Sequence, residues 1–187
     1  MHLVVGLGNP GPRYAGNRHN VGFMVVERLA ERLGAGPWRD KFKGRLAEGR
    51  RGGDKVLLLQ PQTFMNVSGE SVQPAVAFYK LPLQRLLVVH DELDLPFGTL
   101  RLKVGGGTAG HNGLRSLVRH LGSGDFCRLR VGIGRPTGKQ RVEQFVLSDF
   151  DAAERAELPD LLERAAAALL LALEQGVARA MNTVNAR

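Results

Sequence analysis

Apolar positions along this chain of 187 residues follow two periods, and the switches between them mark out its elements. Leu3 to Leu7 is a short apolar run bounded by glycine, which predicts a strand buried on both faces. Asn17 is placed to act as an N-cap, and Val21, Met24, Val25, Leu29 and Leu33 recur at helical spacing before Gly34. A helix is therefore expected over 17–33. Residues 45–50 and 55–60 read as a strand pair turned by Gly52-Gly53-Asp54. Gln62 to Asn66 is expected as a loop. A helix follows over 68–80, with Pro74 either in its first turns or bending it.

Leu86 to His90 forms a second apolar strand that runs into Asp91-Glu92-Leu93-Asp94. From Thr99 to Val104 the period is two, with Leu100, Leu102 and Val104 on one face and Arg101 and Lys103 on the other. A glycine-rich stretch, Gly105 to Gly113, leads into a helix carrying Leu114, Leu117, Val118 and Leu121. Arg128 to Ile133 alternates again, and Asp151 with Glu154 forms a capping-box pattern for a C-terminal helix. Helices interleaved with strands predict an α/β fold. The short links near 45–60 and 91–104 require some antiparallel pairs, so the sheet is expected to be mixed, within a single domain spanning residues 1–187.

Composition narrows the partners. No apolar run approaches the ~20 residues of a membrane span, and the N-terminal apolar stretch is too short for a signal peptide. Cys127 is the single cysteine, which excludes an internal disulfide and suits a reducing cytoplasm. The net charge of +8 is unevenly spread. Between 101 and 141, Arg101, Lys103, Arg115, Arg119, Arg128, Arg130, Arg135, Lys139 and Arg141 face a single acid, Asp125. Such a segment suits a polyanionic partner. With few aromatic residues to stack on bases, affinity is expected from backbone charge and to weaken with salt.

Several motifs fail on context. Gly6, Gly8 and Gly11 spell G-x-G-x-x-G after a strand, but Pro10 and Pro12 flank the third glycine and the helix starts too late to meet a pyrophosphate. No acid-terminated strand follows ~20 residues on, as ribose recognition by a dinucleotide site requires. Gly134 to Lys139 resembles a P-loop at the wrong spacing, with Gln140 where Ser or Thr is needed. The five histidines show no metal-ligand spacing, no G-x-S-x-G is present, and Cys127 reads as a small core residue.

What remains is a set of polar residues where α/β proteins build sites. Asn9 and Asp91 follow the two apolar strands, His19 sits at a helix start, and Asn66, His111 and Asn112 precede helices. A histidine oriented by a carboxylate, with amide side chains nearby, is what general-base hydrolysis uses. Each residue also has a structural reading as a turn or cap, and spacing does not show that they converge.

Four segments in order carry a resemblance: GLGNPG-x-x-Y-x-x-x-RHN-x-G from Gly6, TFMN-x-SG from Thr63, HDELDLP-x-G from His90 and GGG-x-x-GHNG from Gly105. They resemble bacterial peptidyl-tRNA hydrolase along the whole chain. The resemblance implies hydrolysis of the ester between a peptide and the 3′-terminal ribose of tRNA. His19 then corresponds to the general base and Asp91 to its orienting partner. Asn112 would hold the water and the 3′ end, and Asn9 and Asn66 the peptide backbone. Tyr14, Phe64, Met65 and His111 would line the substrate pocket, with Lys103 and Arg130 near the tRNA 5′ phosphate. The resemblance implies no metal or organic cofactor and a monomer. A non-catalytic RNA-binding protein on the same fold is the alternative. One departure from the pattern is Thr108-Ala109 in the glycine loop, where alanine tolerates φ > 0 less well than glycine.

Overall fold

The computed structural model describes residues 1–186 and contains one seven-stranded sheet. In chain order the elements are β1 (His2–Gly6), α1 (Val21–Leu33), β2 (Arg39–Lys41), β3 (Gly44–Arg51), β4 (Asp54–Pro61), α2 (Gly69–Phe78), β5 (Leu86–Glu92), β6 (Leu100–Val104), α3 (Asn112–Leu121), β7 (Cys127–Gly132), α4 (Val142–Val146), α5 (Ala152–Gln175) and α6 (Val177–Val184). The strand order is β2-β3-β4-β1-β5-β7-β6. Its centre, β4-β1-β5-β7, is parallel, while β2, β3 and β6 add antiparallel edges. The fold is therefore α/β with a mixed sheet, as the interleaved periods imply.

Two apolar cores sit on the two sheet faces. Val4, Leu58, Leu87, Val89 and Leu129 pack with α1 and α5 on one face. Leu3, Val5, Leu57, Leu59 and Val88 pack with α2 and α3 on the other. The successive residues of β1, β4 and β5 point to opposite faces, so their runs are apolar without alternation. From β1 the chain turns to β4 on one side and later to β5 on the other. This makes the C-terminal ends of β1 and β5 the switch point where such sheets leave a crevice.

Several boundaries differ from the sequence expectation. Asn17 does not cap α1: its side chain donates to Asp149 at 2.7 Å, and a 3-10 turn at Arg18–Asn20 precedes the helix. Arg18 is buried against Ser148 and Glu154, which pins that turn to the α4–α5 link. Pro74 lies sixth in α2, in its second turn, and leaves the Glu70 carbonyl without its intrahelical donor. Val104 extends beyond its covered neighbours and is 55% exposed. Strand β2 has no apolar pattern to betray it. The capping box of Asp151 and Glu154 forms as expected, with 2.9 and 2.8 Å bonds.

Close approach, not phosphate, accounts for the first glycine of the G-x-G-x-x-G. A Cβ on Gly6 would lie 2.2 Å from the carbonyl oxygen of Gly22, and one on Gly22 2.6 Å from that of Val89. The start of α1 is thus laid directly on the ends of β1 and β5. Gly22→Ala is expected to destabilise the fold by about 1–3 kcal/mol through overpacking, read as a lower urea midpoint at unchanged slope. An unaltered midpoint would show that this contact is not tight.

Candidate functional site

The crevice at the ends of β1 and β5 gathers most of the polar set. Asp91, on β5, is 3% exposed and accepts two hydrogen bonds from histidines carried by other elements. His19, in the 3-10 turn before α1, donates from Nδ1 to Oδ2 at 2.7 Å. His111, the N-cap of α3, donates from Nε2 to Oδ1 at 2.8 Å.

These bonds fix both tautomers. The His111 Nδ1 accepts the Leu114 backbone N–H at 3.2 Å, so its single proton is on Nε2 and both nitrogens are used. His19 spends only Nδ1 on Asp91, which leaves the Nε2 lone pair as a base. Burial lowers the pKa of His19, but the charge of Asp91 and the bond to it outweigh that, and the net shift is upward. Burial likewise opposes ionisation of Asp91, yet the two histidines hold its pKa well below the usual carboxylate range. The imidazole is thus oriented and its protonated form stabilised, an arrangement able to abstract a proton from water.

His19, Asp91 and His111 also present donor atoms within 4.8 Å of one another, a set of residue types that can hold a metal. The hydrogen bonding does not suit one. A cation at His111 Nε2 would move the ring proton to Nδ1, against the Leu114 N–H.

A cleft of about 300 Å³ opens over this group, lined among others by His19, Asp91, His111, Asn112, Arg135 and Val146. Asn9, Tyr14, Phe64 and Asn66 are not among its lining residues; Asn9, buried just beyond the end of β1, accepts the Met65 backbone N–H on Oδ1 at 2.7 Å. Its backbone exchanges two 2.9 Å bonds with the side chain of Asn20. The Nδ2 donors of Asn9 have no protein partner among the described residues. Asn66 is exposed in the same short turn as Met65 (Met65–Val67), and Phe64 just before it stands edge-on to Tyr14, with ring centroids 6.4 Å apart. Met65 itself is 4% exposed and packs in the core, so it does not line the cleft. Asn112 is the first residue of α3 and exposed, not in a loop before it.

The basic residues divide. Arg101, Lys103, Arg128 and Arg130 face one another across β6 and β7 in register. Arg128, counted in the basic segment expected to meet a polyanion, is instead 2% exposed. Its guanidinium donates to the carbonyls of Gly107, Gly106 and Gly124 at 2.6, 3.1 and 3.0 Å, which ties down the glycine loop between β6 and α3. Arg130 pairs with Glu92 at 2.9 Å. Lys103 is exposed, and its stem lies over Gly106. Ala109 does adopt a left-handed conformation, φ +47°, within that loop.

Three contributors had no such role read from sequence: Asn20, His90 and Arg128, the last expected only as a surface charge. The fully buried His90 donates from Nδ1 to the carbonyl of Asp91 at 2.8 Å, and burial with His111 nearby lowers its pKa to about 3. Asn20 stands beside His19 in the RHN triplet, and that adjacency was the available signal. Arg128 had none, because an alternating arginine reads as surface.

Comparison with known proteins gives the same picture. Residues 3–187 match the family described as peptidyl-tRNA hydrolase. The chain is 56% identical to a peptidyl-tRNA hydrolase of Sorangium cellulosum, covering 100% of this chain and 85% of that one. It is 58% identical to another from Paracoccus denitrificans, covering 100% and 79%. The crystal structure of peptidyl-tRNA hydrolase from Acinetobacter baumannii superposes with a TM-score of 0.92 at 43% identity, over 100% of this chain and 95% of that one. The residues that converge on this crevice and the match along nearly the whole sequence lead to one assignment: the chain belongs to the peptidyl-tRNA hydrolase family.

Proposed function

We propose that the chain hydrolyses the ester between the peptide and the 3′-terminal ribose of peptidyl-tRNA, releasing free peptide and tRNA. The observation that carries this is the 2.7 Å bond from His19 Nδ1 to the buried carboxylate of Asp91, with Nε2 left as the base. Nε2 takes a proton from water as its oxygen attacks the ester carbonyl. The tetrahedral adduct collapses, and the imidazolium returns the proton to the departing ribose oxygen. Side chains and water complete the reaction, so no metal or organic cofactor is needed.

Asn112, on the rim beside His111, holds the water and the 3′ end. The free donors of Asn9, with Asn66, take carbonyls of the peptide backbone. Tyr14 and Phe64 form an aromatic wall for the terminal adenosine and the peptide, with Met65 supporting it from beneath. His111 contributes by positioning Asp91. Lys103 and Arg130 meet the tRNA 5′ phosphate region. No helix among the described residues is long and apolar enough to cross a membrane. We propose that residues 1–187 act as one domain, as a monomer in the cytoplasm.

Three outcomes test this reading. His19→Ala should lower kcat on N-acetylaminoacyl-tRNA by about 10²–10⁴-fold, the usual worth of a general base, while leaving tRNA affinity nearly unchanged. Turnover retained in that variant sinks the mechanism; wild-type protein that binds tRNA but leaves the ester intact would favour the non-catalytic alternative.

The pH dependence has a definite sign. The base works unprotonated and its pKa is raised, so kcat/KM should climb with pH through a midpoint above 6.5 and then level off. Asp91→Asn removes the charge that raises the pKa and leaves the burial that lowers it. The midpoint should then fall, with a large loss of kcat. A midpoint that stays put would detach Asp91 from the base.

Binding of tRNA to the His19→Ala protein should weaken linearly on a log–log plot against salt. Lys103→Ala should reduce the slope by about 1. Arg130→Ala should reduce it less, since Glu92 already shares that charge. Equal effects from the two would contradict the pairing.

A further inference from the structure

A second opening lies to one side of the ester centre and is not used by the chemistry above. It is an open groove of about 710 Å³ beside the β2–β3 turn, lined by Asp40, Lys41, Lys43, Arg45, Gln62 and Thr63. Asp40 is the one acid among those residues. Lys43 bonds to Glu70 at 3.0 Å. Lys41 lies over the ring of Phe78 at 4.2 Å and Arg45 over that of Trp38 at 5.4 Å. Neither Lys41 nor Arg45 has a carboxylate within ion-pair distance among the described residues. In the β2–β3 register Arg45 stands opposite Asp40 and Lys41 opposite Gly44, so the two cations reach the groove from opposite faces of the hairpin, and neither charge is closed off by an ion pair.

Sheet register places this groove level with the site. Arg45 pairs with Gln60, which continues the row of Leu59 and Val5 to Gly6 and Val89. Gly44 and Lys43 then stand at the height of His90 and Asp91, three strands across through β1, β4 and β3. At ~4.8 Å per strand that is roughly 14 Å, the reach of about four residues of extended chain. The connection is continuous. The Gln62 N–H bonds the Lys43 carbonyl at 2.9 Å, and three residues later the Met65 N–H is held by Asn9. Direction separates the two halves of the substrate: Lys103 and Arg130 lie on β6 and β7, beyond β5 on the other side.

We infer that this groove is a distal subsite for the peptide of peptidyl-tRNA, taking acidic side chains about four to six residues from the ester. The inference rests on the hydrolase reading above. It makes turnover depend on peptide sequence through Lys41 and Arg45, which are half-buried at the edge of an open groove where salt still screens, so the effect belongs in KM and fades with salt.

The test uses two N-blocked hexapeptidyl-tRNAs with the same three residues next to the ester and either three Glu or three Lys beyond them. At low ionic strength the Glu substrate should show a KM about fivefold lower, as expected for a few charge pairs in a solvent-open groove, at equal kcat. The double variant Lys41→Glu/Arg45→Glu should reverse the order. A ratio of two KM values on one preparation does not depend on how much of it is folded. Equal KM values for the two peptides with the wild-type enzyme overturn the subsite. So does a variant that raises KM by the same factor for N-acetylalanyl-tRNA and both hexapeptides, because the groove would then be meeting tRNA. Failure of the wild-type enzyme to cleave N-acetylalanyl-tRNA would instead overturn the hydrolase reading itself.

Discussion

One buried carboxylate organises this end of the molecule. Taking the charge of Asp91 out of water costs several kcal/mol, and two charge-assisted hydrogen bonds of about 1.5–3 kcal/mol each are needed to offset it. Those bonds come from the turn before α1 and the first residue before α3, so a single side chain on β5 docks two helix starts. It also makes two histidines unlike. His111 has both nitrogens engaged and is a strut, whereas His19 keeps one lone pair free. The distinction arises from which backbone amide lies behind each ring, not from any difference between the residues.

Much of this was legible in the chain. Short apolar runs, alternation, helical spacing and a capping box located every strand of the parallel centre and the helices that cover it, because burial on both faces or along one stripe leaves a pattern. The failed dinucleotide reading was informative too. Gly6 is needed, but for the backbone of Gly22 and not for a phosphate. Strand β2 was hidden, since three polar residues at an edge are held by register with β3 alone. The 3-10 entry to α1 was hidden for another reason. Asn17 and Arg18 are bound by residues some 130 positions later, and no local propensity reports such a partner.

The same limit applies to charge. The basic segment at 101–141 reads as one surface, yet its members are spent differently. Arg128 points into the protein, Arg130 shares its charge with Glu92, and Lys103 is left exposed. A net charge therefore sets the long-range field that a polyanion meets; it does not count contacts. Conversely, Lys41 and Arg45 lie outside the basic segment and draw no notice in sequence, although the β2–β3 turn brings them to one groove.

Arg128 also bears on how the site is held ready. The glycine loop connects β6 to His111, and a chain of such residues has much backbone entropy to lose. Three hydrogen bonds from a buried guanidinium to its carbonyls and to Gly124, each charge-assisted, hold it in one arrangement. That is ample to carry the left-handed alanine at position 109, a conformation that costs about 1–2 kcal/mol. The departure at Thr108-Ala109 is thus absorbed within the loop before it reaches His111, whose bond to Asp91 stays short at 2.8 Å. A loop tethered in this way delivers His111 to Asp91 before substrate arrives, so the orientation of His19 does not wait on binding.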